Sequence, residues 1–309
     1  MLSSHSFHCS SELEALLAGL GFEAVVVQLR PGLLAGELGV AIRAGLPVLR
    51  LQCNLALSLC CARRPQVIPL SVDRYGTAGR VLVHGQPLAA HAVAGGYLSL
   101  TKSFVQLWPG TVALIALLPR EDLLEQLLLG SGSQVAKLME DHNQLVLAQA
   151  VHQELAAWLM DWFEPEAPLA LHPVTQFAAW LRDEHIEKAI RFKAVARYER
   201  VFELLTLGLS FDIEGIELEQ LAEQLQISRS SLIQGCKELT GYGPIQLLRL
   251  QRLERAHQAL RQGRQEESLD LASVAAVAER FGFLSRGHFA AAYKKQYGQS
   301  PSQTLNQAA

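Results

Sequence analysis

The sequence predicts an α+β chain: an antiparallel β domain with following helices, then an all-α domain built on two helix–turn–helix units. Three observations predict it. Residues 49–61 alternate Leu49, Leu51, Cys53, Leu55, Leu57, Leu59 and Cys61 with Arg50, Gln52, Asn54, Ala56, Ser58 and Cys60, a period of two. Beyond Pro119 the apolar residues recur at three- and four-residue steps. The last part of the chain then presents one pattern twice, LAEQLQISRSSLIQGCKELTGYGP from Leu221 and VAERFGFLSRGHFAAAYKKQYGQSP from Val277.

In chain order, the opening MLSSHSFHCSS lacks the basic and apolar regions of a signal peptide and predicts a disordered tail. Strands are expected at 22–30, 49–61 (one or two), 67–72, 80–84, 97–104 and 111–118, giving a β region of 22–118. Turn signals separate them, among them Pro31-Gly32, Arg64-Pro65, Gly85-Gln86-Pro87, Gly95-Gly96 and Pro109-Gly110. Helices are expected at 121–129, 134–163 and 174–192, with Pro165 and Pro168 between the last two. They complete a first domain of residues 1–190 (helices 121–192). A helix at about 194–207, then Gly208 and the acidic stretch 212–219, lead into a second domain, 191–309.

Composition bounds the function. Half of the 309 residues are hydrophobic and 18% are charged, which suits a chain folded throughout. The net charge of −3 hides a split. From Gln226 onward eleven Lys/Arg face six Asp/Glu, a balance of +5 that leaves −8 for the rest. The longest apolar run, 112–118, falls far short of the ~20 residues that span a membrane. Five cysteines form no disulfide framework, and their odd number points to a reducing cytoplasm.

The repeated units lie at about 217–240 and 273–297. In the first, Leu218, Leu221, Ala222 and Leu225 form one apolar stripe, Ile227 plugs the turn, and Ser228 caps a helix that buries Leu232, Cys236 and Leu239. In the second, Val274, Val277, Ala278 and Phe281 form the stripe, Gly282 ends the helix, Phe283 plugs and Ser285 caps. Residues not needed for packing are then free to read DNA. The candidate base readers are Arg229, Ser230, Ser231, Ile233 and Gln234, with Arg286, Gly287, His288, Ala290 and Ala291. Ser228, Lys237, Ser285, Lys294 and Lys295 are the phosphate candidates. A helix over 244–262 joins the units. Its Arg249, Arg252, Arg255 and Arg261 either touch phosphate or form a solvated face with Glu254.

Here the residues resemble a known family. From about 195 to 305 the chain is similar to the DNA-binding domain of the AraC/XylS family of bacterial transcription regulators. AVAERFGFLSRGHFAAAYKKQYGQSP has that family's GF, F-x-x-x-[FY]-K core and G-x-S-P ending, and RLERAHQAL matches on the joining helix. Cys236 stands where the family usually has an aromatic, and Leu247 and Thr304 where a Tyr is common. Ala290 and Ala291 are short for base-reading positions, so the first copy is expected to carry more specificity. The amino-terminal half resembles the sensing domains of XylS-type regulators, a cupin-like β-structure followed by helices, in the order of its hairpins, closing strand and helix.

The resemblance implies a cytoplasmic, effector-responsive activator with no enzymatic activity and no cofactor. Its partners would be double-stranded promoter DNA, RNA polymerase, a small-molecule effector and a second copy in a homodimer, with no membrane. The alternative is a cupin-like small-molecule enzyme, or a protein-interaction module, with a non-functional helical tail. Against the enzyme, no Ser/His/Asp order, phosphate loop or paired carboxylates stand out. No metal site is expected. Cys60 and Cys61 point to opposite faces of a strand, with Cys61 a buried small hydrophobe, and His84 and His91 lack a ligand spacing. His5, His8 and Cys9 fall in the expected tail.

Overall fold

The computed structural model describes residues 1–95, 102–164, 171–191, 196–210, 217–262 and 273–307. Expected strand residues 97–101, Pro165, Pro168 and most of the acidic stretch, 212–216, lie outside them. The chain opens with β1 (Leu2–Phe7) and α1 (Ser10–Gly19). It continues through β2 (Ala24–Gln28), β3 (Gly36–Arg43), β4 (Leu46–Cys53), β5 (Leu57–Ala62) and β6 (Val67–Asp73). β7 (Val81–Val83), β8 (Gln86–Pro87), β9 (Ala92–Gly95), β10 (Lys102–Leu107) and β11 (Val112–Pro119) follow. α2 (Arg120–Leu129) and α3 (Ser133–Leu138) precede β12 (His142–Leu147), α4 (Gln149–Asp161), α5 (Pro173–Trp180) and β13 (Ile186–Arg191). Every described element after that is a helix: α6 (Ala196–Ser210), α7 (Leu218–Gln224), α8 (Arg229–Thr240), α9 (Pro244–Gln262), α10 (Val274–Arg280), α11 (Arg286–Tyr297) and α12 (Pro301–Gln307). The predicted class, antiparallel β followed by all-α with two helix–turn–helix units, is the one observed. Among the described residues no helix is long and apolar enough to cross a membrane.

Residue contacts divide the chain into two compact units. One comprises 1–6, 36–54 and 61–194; the other comprises 7–35, 55–60 and 195–309. The last division falls at 194/195. Residues 7–35 and 55–60, which the sequence assigns to the first domain, pack with the helical unit.

The first unit is an antiparallel sheet in the order β1-β3-β4-β11-β6-β9-β12-β13. Its hairpins are set by tight turns. Ala44 and Gly45 both take positive φ (46° and 79°), the type I′ geometry that joins Arg43 to Leu46 in register. In a second sheet, where β10 pairs with β7, His84 and Gly85 (50° and 77°) do the same between β7 and β8, so the turn precedes Gln86-Pro87. One sheet face buries Val48, Ile68, Leu70, Val72, Leu114, Ala116 and Leu118 against α2–α5, where Leu123, Met139, Leu155, Leu159, Trp162 and Phe177 meet them. Each such Val, Leu, Ile, Met or Phe side chain contributes about 1.5–3 kcal/mol by leaving water.

Four expectations are corrected. The opening residues are not a disordered tail. β1 pairs at the sheet edge, with Ile42 N–H donating to Met1 C=O at 2.8 Å, and Cys9 is buried. The expected helix 134–163 is interrupted by β12, and the helix expected at 174–192 stops at Trp180 before β13. Leu145 and Leu147 face the core while β12 hydrogen-bonds to β9 and β13, and those distant partners outweigh the flanking helical periodicity. β3 and β9, which carry no strong local signal, complete the sheet. Finally Cys60 is buried and Cys61 only partly so, because β5 is covered on both faces from Leu57 to Cys60.

Candidate nucleic-acid interface

The two helix–turn–helix units share one backbone plan, bond for bond. In the first, Glu217 and Gln220 close a capping box ahead of α7. Ile227 N–H donates to Ala222 C=O at 2.9 Å across the turn, and Ser228 Oγ accepts Ser231 N–H at 3.2 Å to cap α8. In the second, Ser273 Oγ accepts Ala276 N–H at 3.2 Å, Phe283 N–H donates to Ala278 C=O at 2.9 Å, and Ser285 Oγ accepts His288 N–H at 3.3 Å to cap α11. Both second helices end on a left-handed glycine, Gly241 (φ 79°) and Gly298 (φ 72°). Copies differ at the turn, where Gln226 (φ 51°) takes the conformation of Gly282 (φ 70°).

Packing holds each second helix by one face. Leu221, Ala222, Leu225, Leu232, Cys236 and Leu239 are buried in copy one. Val277, Ala278, Phe289, Tyr293 and Tyr297 are buried in copy two, with Leu253, Ala256 and Leu260 of α9. Cys236, Leu247 and Thr304, where the family pattern has aromatics, fit this core. Thr304 Oγ1 accepts from Tyr293 Oη and from Gln299 Nε2, both at 2.8 Å. Gly235 lets α8 approach α6, since a Cβ there would lie 3.2 Å from Val201 Cγ2 and 3.3 Å from the Arg197 carbonyl oxygen.

The opposite faces carry the candidate readers. Ser228, Arg229, Ser230, Gln234 and Lys237 are exposed on copy one, with Ser231 and Ile233 half-buried. Arg286, Gly287, His288, Ala291, Lys294 and Lys295 are exposed on copy two, with Ser285 and Ala290 half-buried. Ser228 Oγ already donates to Ser231 Oγ at 2.9 Å and lies 3.1 Å from Ser230 Oγ. Arg229 pairs with Glu219, and the Gln234 amide donates to Glu238 at 2.9 Å. Three bonds of 2.6–2.9 Å from Arg197 hold that Glu238 carboxylate and lower its pKa from the ordinary carboxylate value.

The solvated-face reading of α9 fails at Glu254, which is buried because Ser10 N–H (2.7 Å) and Tyr297 Oη (3.0 Å) donate to it. Burial holds its carboxyl above the ordinary range. Beside it, His257 Nδ1 lies 2.5 Å from Tyr293 Oη, and the ring stacks on Tyr297 with centroids 4.2 Å apart. Burial pushes that imidazole down to about 4, so it is neutral at pH 7. Arg261 pairs with Glu12 at 3.0 Å, and Arg252 Nη1 donates to Gly282 C=O at 3.3 Å. Arg249 is exposed and lines a cavity of about 250 Å³ with Phe283, Ser285 and His288, beside the start of α11. These links from α1 and α11 to α9 had no local sequence signal. Among the described residues no group of three or more His, Cys, Asp or Glu side chains could hold a metal ion.

A family model described as a helix-turn-helix domain matches residues 221–307. The XylDLEGF operon transcriptional activator of Pseudomonas putida is 30% identical over 123 residues, which cover 40% of this chain and 36% of that protein. The "Probable thc operon regulatory protein" of Rhodococcus erythropolis is 26% identical over 252 residues, 77% of this chain and 74% of that protein. Among solved structures, one of a "probable AraC family transcriptional regulator" from Rhodopseudomonas palustris is 28% identical. It covers 36% of this chain and 97% of that one, with a TM-score of 0.32. The chain thus spans about a third of the length of the P. putida activator. Residues 221–307 thus carry a helix-turn-helix domain, and over its carboxy-terminal part the chain is similar to bacterial operon regulators.

Proposed function

We propose that the chain regulates transcription by binding a specific promoter site, with α8 and α11 in the major groove of double-stranded DNA. One observation carries this. The two units repeat their caps, turns and buried faces, while their exposed faces differ. A duplicated scaffold with distinct outer residues suits an asymmetric site. Arg286, through its two parallel donors, suits a guanine, and Gln234 suits an adenine once it leaves Glu238. Lys237, Lys294 and Lys295 are exposed near the ends of the same helices and suit phosphates, as does Arg249 in the cavity beside Ser285. The proposal assigns effector sensing to the antiparallel sheet domain. RNA polymerase is the natural second partner of an activator, a role supported by the P. putida relative's description. Such a regulator works in the cytoplasm.

Selection of duplexes from a randomised pool, followed by substitution, tests the reading. Gln234→Ala and Arg286→Ala should each relax discrimination at one base pair, by roughly 1–3 kcal/mol. Lys294→Ala should weaken every sequence alike and lower the salt dependence by about one released ion. Equal losses on all sequences for the three variants would remove the assignment of readout, and no enrichment of any duplex would remove the function.

A further inference from the structure

We infer that residues 7–35 form a brace that fixes the spacing of the two recognition helices, so that the protein selects DNA by the distance between its half-sites. The inference rests on the proposed DNA-binding function and adds positioning elements outside the reading faces.

The bonds of this segment reach both copies. α1 lacks a cap of its own, for Cys9 supplies no side-chain acceptor. Its first N–H, from Ser10, donates instead to Glu254 Oε1 of α9 at 2.7 Å. The other oxygen of that carboxylate accepts Tyr297 Oη of α11 at 3.0 Å, so one buried side chain ties α1, the joining helix and the second recognition helix. Glu12 adds the ion pair to Arg261. Past β2, Tyr242 Oη donates to Leu29 C=O. Tyr242 sits in the turn between α8 and α9, directly after the first recognition helix. Three residues on from Leu29, Gly32 N–H donates to Gln296 C=O of α11 at 2.7 Å. The Gln28 amide holds this loop closed, donating to Arg30 and Gly32 carbonyls at 2.8 and 2.9 Å. Gly32 itself has φ 139° and would press a Cβ to 3.1 Å from Leu55 Cδ1.

The turn Gly241-Tyr242-Gly243 is the weak point this arrangement covers. Two glycines flank the tyrosine, and Gly241 takes positive φ. The direction in which α9 leaves copy one therefore rests on contacts outside the turn, among them the Leu29 bond and the buried bond from Gln251 to the Leu205 carbonyl of α6. A pair of helices held rigid binds half-sites at one separation. A loosened pair accommodates others but must be ordered on binding, which weakens it on the best site. One inserted base pair moves the second half-site by ~3.4 Å and turns it by ~35°.

The test uses the full chain and a duplex enriched by that chain from a randomised pool, then remade with one or two base pairs added or removed between the half-sites. The double variant Ser10→Pro with Tyr242→Phe removes two of the bracing donors, one toward each copy, and leaves the Gly32 bond and the Glu12–Arg261 pair in place. Proline is accepted at the first position of a helix, and neither residue belongs to the reading faces. The wild-type chain should lose about tenfold or more in affinity per altered spacing. The variant should lose about threefold or less, with a modest loss on the original duplex. Circular dichroism checks that it is folded; if it is not, Tyr242→Phe alone is read on the same series and should flatten the profile in part. An unchanged spacing profile in a folded variant overturns the brace while leaving DNA reading intact. Failure of the wild-type chain to enrich any duplex overturns both.

Discussion

Gln226 shows how much one position can hide. It occupies the left-handed turn that copy two gives to Gly282, at a cost of about 1–2 kcal/mol for a residue with a Cβ. Glycine there would relieve that strain but lose about 0.5–1 kcal/mol through its freer unfolded chain. Gln226→Gly should therefore stabilise the protein by about 0.5–1 kcal/mol, read as a shift in urea midpoint without a change in slope. A lower midpoint would show that the Gln226 side chain contributes contacts worth more than the strain. The role of Gly282 was legible because glycine after an apolar stripe signals a helix end. Gln226 carries no such signal, although its alignment with Gly282 could have supplied one. Glu254 was illegible for another reason. Charged residues among arginines look solvated, and only distant donors, Ser10 and Tyr297, make its burial possible.

Among the elements, α8 is fixed as much by what it lacks as by what it buries. Gly235 costs about 1 kcal/mol of helix propensity relative to alanine, yet the Arg197 carbonyl oxygen, 3.3 Å from where a Cβ would sit, cannot swing aside. Gly235→Val should push α8 off α6 and destabilise the protein by about 1–3 kcal/mol, measured by thermal unfolding. Unchanged stability would mean that α6 shifts freely. The helices of both units were readable because caps and 3.6-residue stripes are local. The strands β12 and β13 were not. His142–Leu147 alternates over only six residues, and its bonding partners lie about fifty residues away on either side, at Ala92–Ala94 and Ile186–Arg191. The paired positive-φ turns at Ala44-Gly45 and His84-Gly85 were likewise hidden, because alanine and histidine are not the residues expected there.

For the whole molecule, the packing of residues 7–35 with the helical unit ties its stability to pH. Burial pushes the Glu14 carboxyl up to about 7, with Glu254 adding to the rise, while the Val26 N–H it accepts at 2.7 Å and the nearby Arg255 oppose it. In the unfolded chain Glu14 ionises near 4.5. Below that value it is protonated in both states. From there to about 7 the unfolded chain gives up its proton first, so stability falls as pH rises, and above 7 the penalty is constant. Glu14→Gln keeps an acceptor for Val26 and removes the charge. Its advantage over wild type in urea unfolding should be about 1 kcal/mol larger at pH 8 than at pH 4, allowing for partial solvent screening. An equal difference at both values would show that Glu14 titrates normally. Fold class and the position of the repeats were readable at this scale. The recruitment of an amino-terminal segment by the carboxy-terminal unit was not, since no local pattern marks a contact across most of the chain.

The hydrogen bond from Ser10 to Glu254 spans 244 residues. At ~5–20 residues per second, the ribosome makes Ser10 about 12–50 s before it makes Glu254. During synthesis α1 therefore waits with Leu13 and Leu17, which the finished protein buries, while its eventual partner is still unmade.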